Sequence, residues 1–170
     1  MWRQTLCILL VLAGARTAAA SEPCSASSVM SMLEAGGFAR IDRMSAFPPG
    51  FLAAFWEAVS PHDGEPRSIA DPGSDFQSTD HISTPRLPSR RLIFGGRSSQ
   101  LAFMYYEKGG RGLARYLFAV CSDGGITRAF SYLSPREARD AEALLRNLTA
   151  ACLVTPPREH LERSEVDRCL

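Results

Sequence analysis

The stretch from Arg90 to Leu133 constrains the fold more than any other part of this 170-residue chain. It reads as four short apolar runs cut by turn residues: Arg91 to Phe94 ended by Gly95-Gly96, Leu101 to Glu107 ended by Gly109-Gly110, Leu113 to Cys121, and Ile126 to Leu133. Successive side chains of a strand point to opposite faces. In the third run Tyr116, Phe118 and Val120 therefore share one face, and Leu117, Ala119 and Cys121 share the other. Between the third and fourth runs, Ser122-Asp123-Gly124-Gly125 carries the Asp-Gly signal of a tight hairpin. Consecutive strands joined by such turns predict a four-stranded antiparallel meander. Both of its faces are apolar, so both need cover.

The cover has to come from helices. Ser25 to Gly36 predicts a first one, with Ser25 or Ser27 as cap and Val29, Met30, Met32 and Leu33 on its apolar side; Gly36-Gly37 stops it. Pro48-Pro49 opens a second, where Phe51, Leu52, Phe55, Trp56 and Val59 recur at helical spacing. After the strands, Ser134-Pro135-Arg136-Glu137 has the form of a capping box. Ala138, Ala141, Leu144, Leu145, Leu148 and Cys152 then predict a long C-terminal helix lying on the meander, with the two N-terminal helices on the opposite face. Residues 60–89, broken by Pro61, Pro66, Pro72, Pro85 and Pro88, read as a long loop, and residues 156–170 as a polar tail. The expected fold class is α+β, in one domain spanning 21–170.

Residues 1–20 read as an export leader. A basic start at Arg3, an apolar run from Leu6 to Ala15 and the small residues Ala18-Ala19-Ala20 predict cleavage before Ser21. That apolar run is about half of the roughly 20 residues a membrane span needs. The expected location is periplasmic or secreted, with no membrane span once the leader is gone. Cleavage removes Cys7 and leaves Cys24, Cys121, Cys152 and Cys169 of the five cysteines. Ser-Glu-Pro before Cys24 is no lipoprotein box. In an oxidising compartment four cysteines predict two disulfides. A C-terminal helix returning over the sheet would bring Cys152 above Cys121, giving Cys121–Cys152 and leaving Cys24–Cys169 to join the termini.

Composition excludes several functions. Without Arg3 and Arg16, 17 of the 19 basic residues face 18 acidic ones. A balance so close to neutral gives no general attraction to nucleic acid. Lys108 is the single lysine; so strong an arginine bias, beside many alanines, reads as a GC-rich bacterial coding genome. Neither CxxC nor HxxxH spacing is present, and no cofactor or metal is expected.

Candidate sites are few. His62 and His81, each beside an aspartate (Asp63, Asp80), lie in the long loop with Ser78 and Ser83, but no G-x-S-x-G elbow accompanies them. Gly95-Gly96-Arg97-Ser98-Ser99 lacks the phosphate-loop pattern and reads as a hairpin turn. Arg86, Arg90, Arg91 and Arg97 form a candidate basic binding patch for an acidic partner or phosphate group. Asn147-Leu148-Thr149 matches a glycosylation sequon but falls inside a predicted helix. Export, disulfides and the lack of a catalytic motif point to a protein-interaction module, namely an inhibitor, an immunity protein or an accessory subunit of the cell envelope. Its expected partner is another exported or envelope protein. The alternatives are a small hydrolase using the His62/His81 loop and a carrier holding an apolar ligand between sheet and helices.

Overall fold

A computed structural model of the chain describes residues 22–59, 67–79, 87–110, 112–134, 136–149, 152–154 and 157. The leader, both loop histidines and most of the polar tail lie outside the described residues.

The α+β class holds, with a mostly antiparallel sheet and a few short helices. The sheet has six strands rather than four: β1 (Ala39–Ile41), β2 (Ile69–Ala70), β3 (Arg90–Arg97), β4 (Leu101–Lys108), β5 (Ala114–Asp123) and β6 (Ile126–Ser134). Strands β3 to β6 lie side by side in chain order, each antiparallel to the last. Both extra strands pair with β3, which would otherwise be a bare edge. β1 runs antiparallel along Gly95–Arg97, and β2 runs parallel to Arg90 and Arg91. The expected loop over 60–89 thus contains a short paired segment.

Helix α1 (Ala26–Ala35) is capped by Ser25, whose side chain accepts the Ser28 N–H at 3.1 Å. Helix α2 (Pro49–Val59) buries Phe51, Phe55 and Val59. The expectation that both lie opposite the C-terminal segment is corrected by their placement. Val29, Met30 and Leu33 of α1 pack on the face made by Phe94, Phe103, Tyr105, Leu117, Ala119 and Phe130, together with Leu144, Leu148 and Leu153 of the C-terminal segment. Helix α2 covers the other face, beside Ile41, Met44 and Phe47 of the segment before it, against Leu92, Met104, Tyr106, Tyr116 and Phe118. The contact of α2 with the sheet is largely aromatic: Phe55 sits edge-on to Tyr106 and Phe118, with centroids at 5.3 and 5.2 Å.

Two glycines read as a turn lie inside β3. A Cβ on Gly95 would stand 2.5 Å from the Phe47 ring, and one on Gly96 would stand 2.6 Å from the Phe103 ring. The strand passes between two aromatic rings, and only a residue without a side chain fits. The hairpin turn falls later, where Ser98 N–H donates to the Leu101 carbonyl at 2.7 Å.

The long C-terminal helix is also corrected. Ser134 does not cap it, because it still belongs to β6, paired with Arg115. Its buried hydroxyl donates to the Arg136 carbonyl at 2.6 Å. Helix α3 starts seven residues later and covers only Ala141–Leu145, capped by Asp140, whose Oδ1 accepts the Ala143 N–H at 2.7 Å. The chain then turns back to β6, where Ser131 and Val154 exchange both backbone hydrogen bonds at 3.0 and 2.8 Å.

That path overturns the expected disulfides. Cys121 bonds to Cys24, with Cα atoms 5.5 Å apart, and not to Cys152. Helix α1 packs on the face that Cys121 points into, and the corner just before its Ser25 cap delivers Cys24 there. Cys24–Cys169 is thereby excluded. Cys152 is disulfide-bonded as well. Cys24 takes up a left-handed backbone (φ 56), uncommon for a residue other than glycine, at the corner leading into α1.

Candidate functional site

Of the expected basic patch, Arg90, Arg91 and Arg97 do not come together. Arg86 lies outside the described residues. Arg90 and Arg91 are sequence neighbours on one strand, so they point to opposite faces. Arg90 is fully buried, with its guanidinium 5.7 Å from the Trp56 ring. Arg91 reaches over the other face, stacked 4.3 Å above Phe76 and paired with Glu107. Arg97 is exposed at the far end of β3.

The strand register builds a different polar constellation. Arg91 of β3 faces Glu107 of β4, Glu107 faces Arg115 of β5, and Arg115 faces Ser134 of β6. These four form one row across the end of the α1 face. Glu107 is buried, its side chain only 8% exposed, and its Oε1 takes both Nε (2.7 Å) and Nη2 of Arg91. A charge-assisted pair of this kind satisfies a buried carboxylate that would otherwise be costly to desolvate.

Arg115 is less well provided. Its Nη2 reaches Glu137 Oε2 at 3.3 Å, and its Nε–H is buried with no hydrogen-bond partner. Glu137 is itself half exposed and shared with Arg139 at 3.8 Å. Beneath this row lies Tyr105, whose fully buried hydroxyl stands 3.1 Å from the Arg136 carbonyl and 3.3 Å from Ser134 Oγ, and accepts the Ala138 N–H at 3.3 Å. Burial pushes the Tyr105 phenol above its ordinary range; its hydrogen bonds and the nearby Arg115 charge oppose that. Arg91, Glu107 and Arg115 of the row, with Glu137, Pro72, Gly73, Leu92, Ile93 and the exposed Leu113, line a groove of about 410 Å³.

A second groove, of about 390 Å³, lies at the opposite end of the sheet on the opposite face. Helix α2 begins here, and Pro48 with Gly50, Phe51 and Ala54 of its first turns forms one wall. Ala102 and Val120 form the floor, while Ser98, Ser99, Gln100, Ser122 and Thr127 form the rim. No charged side chain lines it.

The sequence reading missed both grooves. Glu107 was visible as the one acid of an otherwise apolar run, but its partners follow only from the register. The backbone of Gln77 and Ser78 lies close against Gly109. Both His62 and His81 fall outside the described residues. No group of three or more metal-binding side chains is present among the described residues, and none of the described helices is long and apolar enough to cross a membrane. No family model matches the chain, and neither a curated protein nor a solved structure matches it.

Proposed function

We propose that the chain is an exported, disulfide-stabilised protein-binding module that engages another exported or envelope protein, as an inhibitor, immunity protein or accessory subunit. The observation that carries this reading is the uncharged groove beside α2. Helix α2 covers the aromatic half of its sheet face and leaves Ala102, Val120 and Ala129 only partly buried. A floor of small apolar side chains within a rim of hydroxyls and an amide suits contact with a partner's side chains, because it offers apolar area without a charge to desolvate. The Cys24–Cys121 bond supports the compartment, since disulfides persist where the environment is oxidising.

Two measurements test this. Mass spectrometry of the protein from its native host is expected to give Ser21 as the N-terminus, without lipid; an intact Met1 removes the compartment argument. Val120→Glu places a charge on the groove floor at a partly exposed position. It is expected to abolish capture of the envelope partner that the wild type retains, with the melting temperature nearly unchanged. Equal capture by both proteins refutes this groove as the contact.

The same groove favours one second reading, a carrier of a small apolar ligand, because it lies between helix and sheet. Native mass spectrometry separates the two: a carrier purifies with a bound small molecule that Val120→Glu loses, and a protein-binding module does not.

A further inference from the structure

We infer that the groove at the charged end of the sheet recognises a carboxylate carried on a small apolar body, and that Arg115 is the residue that binds it. The case rests on comparing two guanidiniums in one row. The side-on edge of a guanidinium, Nε with Nη2, is one of the faces that fits a carboxylate. In Arg91 that edge is filled, because both nitrogens meet Glu107. In Arg115 the same edge is half empty: Nη2 holds Glu137 only at 3.3 Å, and the buried Nε–H has no partner.

The row therefore sets one buried carboxylate between two guanidiniums, and Arg91 already neutralises it. An incoming carboxylate completes the row by taking Nε and Nη2 of Arg115 together. Glu137 is the group it displaces, and its exposed side chain can turn to solvent beside Arg139. The remaining walls define the rest of the ligand. Pro72, Ile93 and Leu113 are apolar, and about 410 Å³ holds a body of a few carbons. A free short-chain acid and the C-terminal residue of a peptide share this chemistry.

The test titrates the intact, oxidised protein with four probes, followed by NMR shifts of the Leu113 and Arg115 amides. Hexanoate represents the free acid and N-acetyl-leucine the peptide terminus; hexanamide and N-acetyl-leucinamide keep each body without the charge. At least one acid is expected to bind about tenfold or more tightly than its amide, as loss of a charge-assisted pair implies. Whichever acid binds tighter names the source. Arg115→Gln is expected to remove that preference. Glu137→Gln, at an exposed position that leaves the fold intact, is expected to strengthen acid binding several-fold by removing the competitor. Acid and amide binding alike, no binding of either acid at millimolar concentration, or an acid preference unmoved by both substitutions overturns the inference.

Discussion

Removing the Cys24–Cys121 bond tests the arrangement of α1 on the sheet more directly than any other change. The two cysteines are 97 residues apart in sequence, so their bond closes most of the described chain into one loop. Loop-closure entropy for a loop of that size amounts to about 4.7 kcal/mol at 25 °C, with measured losses for native disulfides of about 2–5. Both sulfurs are buried, and Cys24→Ala with Cys121→Ala takes out little volume, so the packing cost adds little. A domain of ordinary stability has only about 5–15 kcal/mol to lose. At a urea slope of about 2 kcal/mol/M, the doubly substituted protein is expected to unfold about 2 M earlier than the wild type. The assay is equilibrium urea unfolding by tryptophan fluorescence under oxidising conditions. Reductant should lower the wild-type curve at least as far, because Cys152 is bonded too. Non-reducing peptide mapping is the companion measurement, and a linked Cys24–Cys121 peptide is expected. A midpoint shift below about 0.5 M, or a Cys121–Cys152 peptide, would refute the placement of α1.

Three further outcomes follow from packing and protonation. Gly109→Ala would drive a Cβ into the backbone carbonyl of Gln77, a residue whose own N–H donates to the Pro88 carbonyl at 2.8 Å, and should cost about 1–3 kcal/mol; Gly112→Ala, with open space around it, should be near neutral in the same thermal melts. Phe55→Ala empties a fully buried site among three aromatic rings and should cost about 3–5 kcal/mol in urea unfolding. Burial raises the Tyr105 and Tyr132 phenols, so the folded chain keeps their protons where the unfolded chain, titrating near about 10, loses them; stability is then full below that pH and falls as pH rises through the raised values. Tyr105→Phe should flatten that alkaline fall while lowering stability at pH 7, and an unchanged alkaline slope would show that Tyr105 is not the group responsible.

The parts of the fold legible in the sequence are those set by local rules. Alternation in Leu117–Cys121 and the Asp123-Gly124 turn specify β5, β6 and the hairpin between them, and helical spacing in Phe51–Val59 specifies α2. What failed depended on neighbours distant in sequence. Ser134-Pro135-Arg136-Glu137 has good capping chemistry, yet β6 keeps Ser134 because pairing with Arg115 and the bond to Arg136 hold it in the strand. Once that helix shrinks to Ala141–Leu145, the length argument that put Cys152 over Cys121 has no basis. Gly95-Gly96 looks like a turn until the Phe47 and Phe103 rings on either side are known.

The charged groove shows why proximity in sequence misleads most in a sheet. Arg90 and Arg91 are adjacent in sequence, which suggested one basic patch, but alternation sends them to opposite faces. Arg90 becomes a buried neighbour of Trp56, whereas Arg91 becomes the counter-ion of Glu107. Arg115, two strands away, shares a row with Arg91 that only the register reveals. The same register sets their different fates. Glu107 lies between the two guanidiniums, and β3 brings Arg91 to it with two nitrogens on one oxygen, so Arg115 is left with a distant carboxylate from the segment after β6. An unsatisfied Nε–H at that point costs about 1–3 kcal/mol if nothing reaches it. Relieving that cost is a driving force for any carboxylate that fits the groove, and it falls on the one arginine of the row that no strand neighbour neutralises.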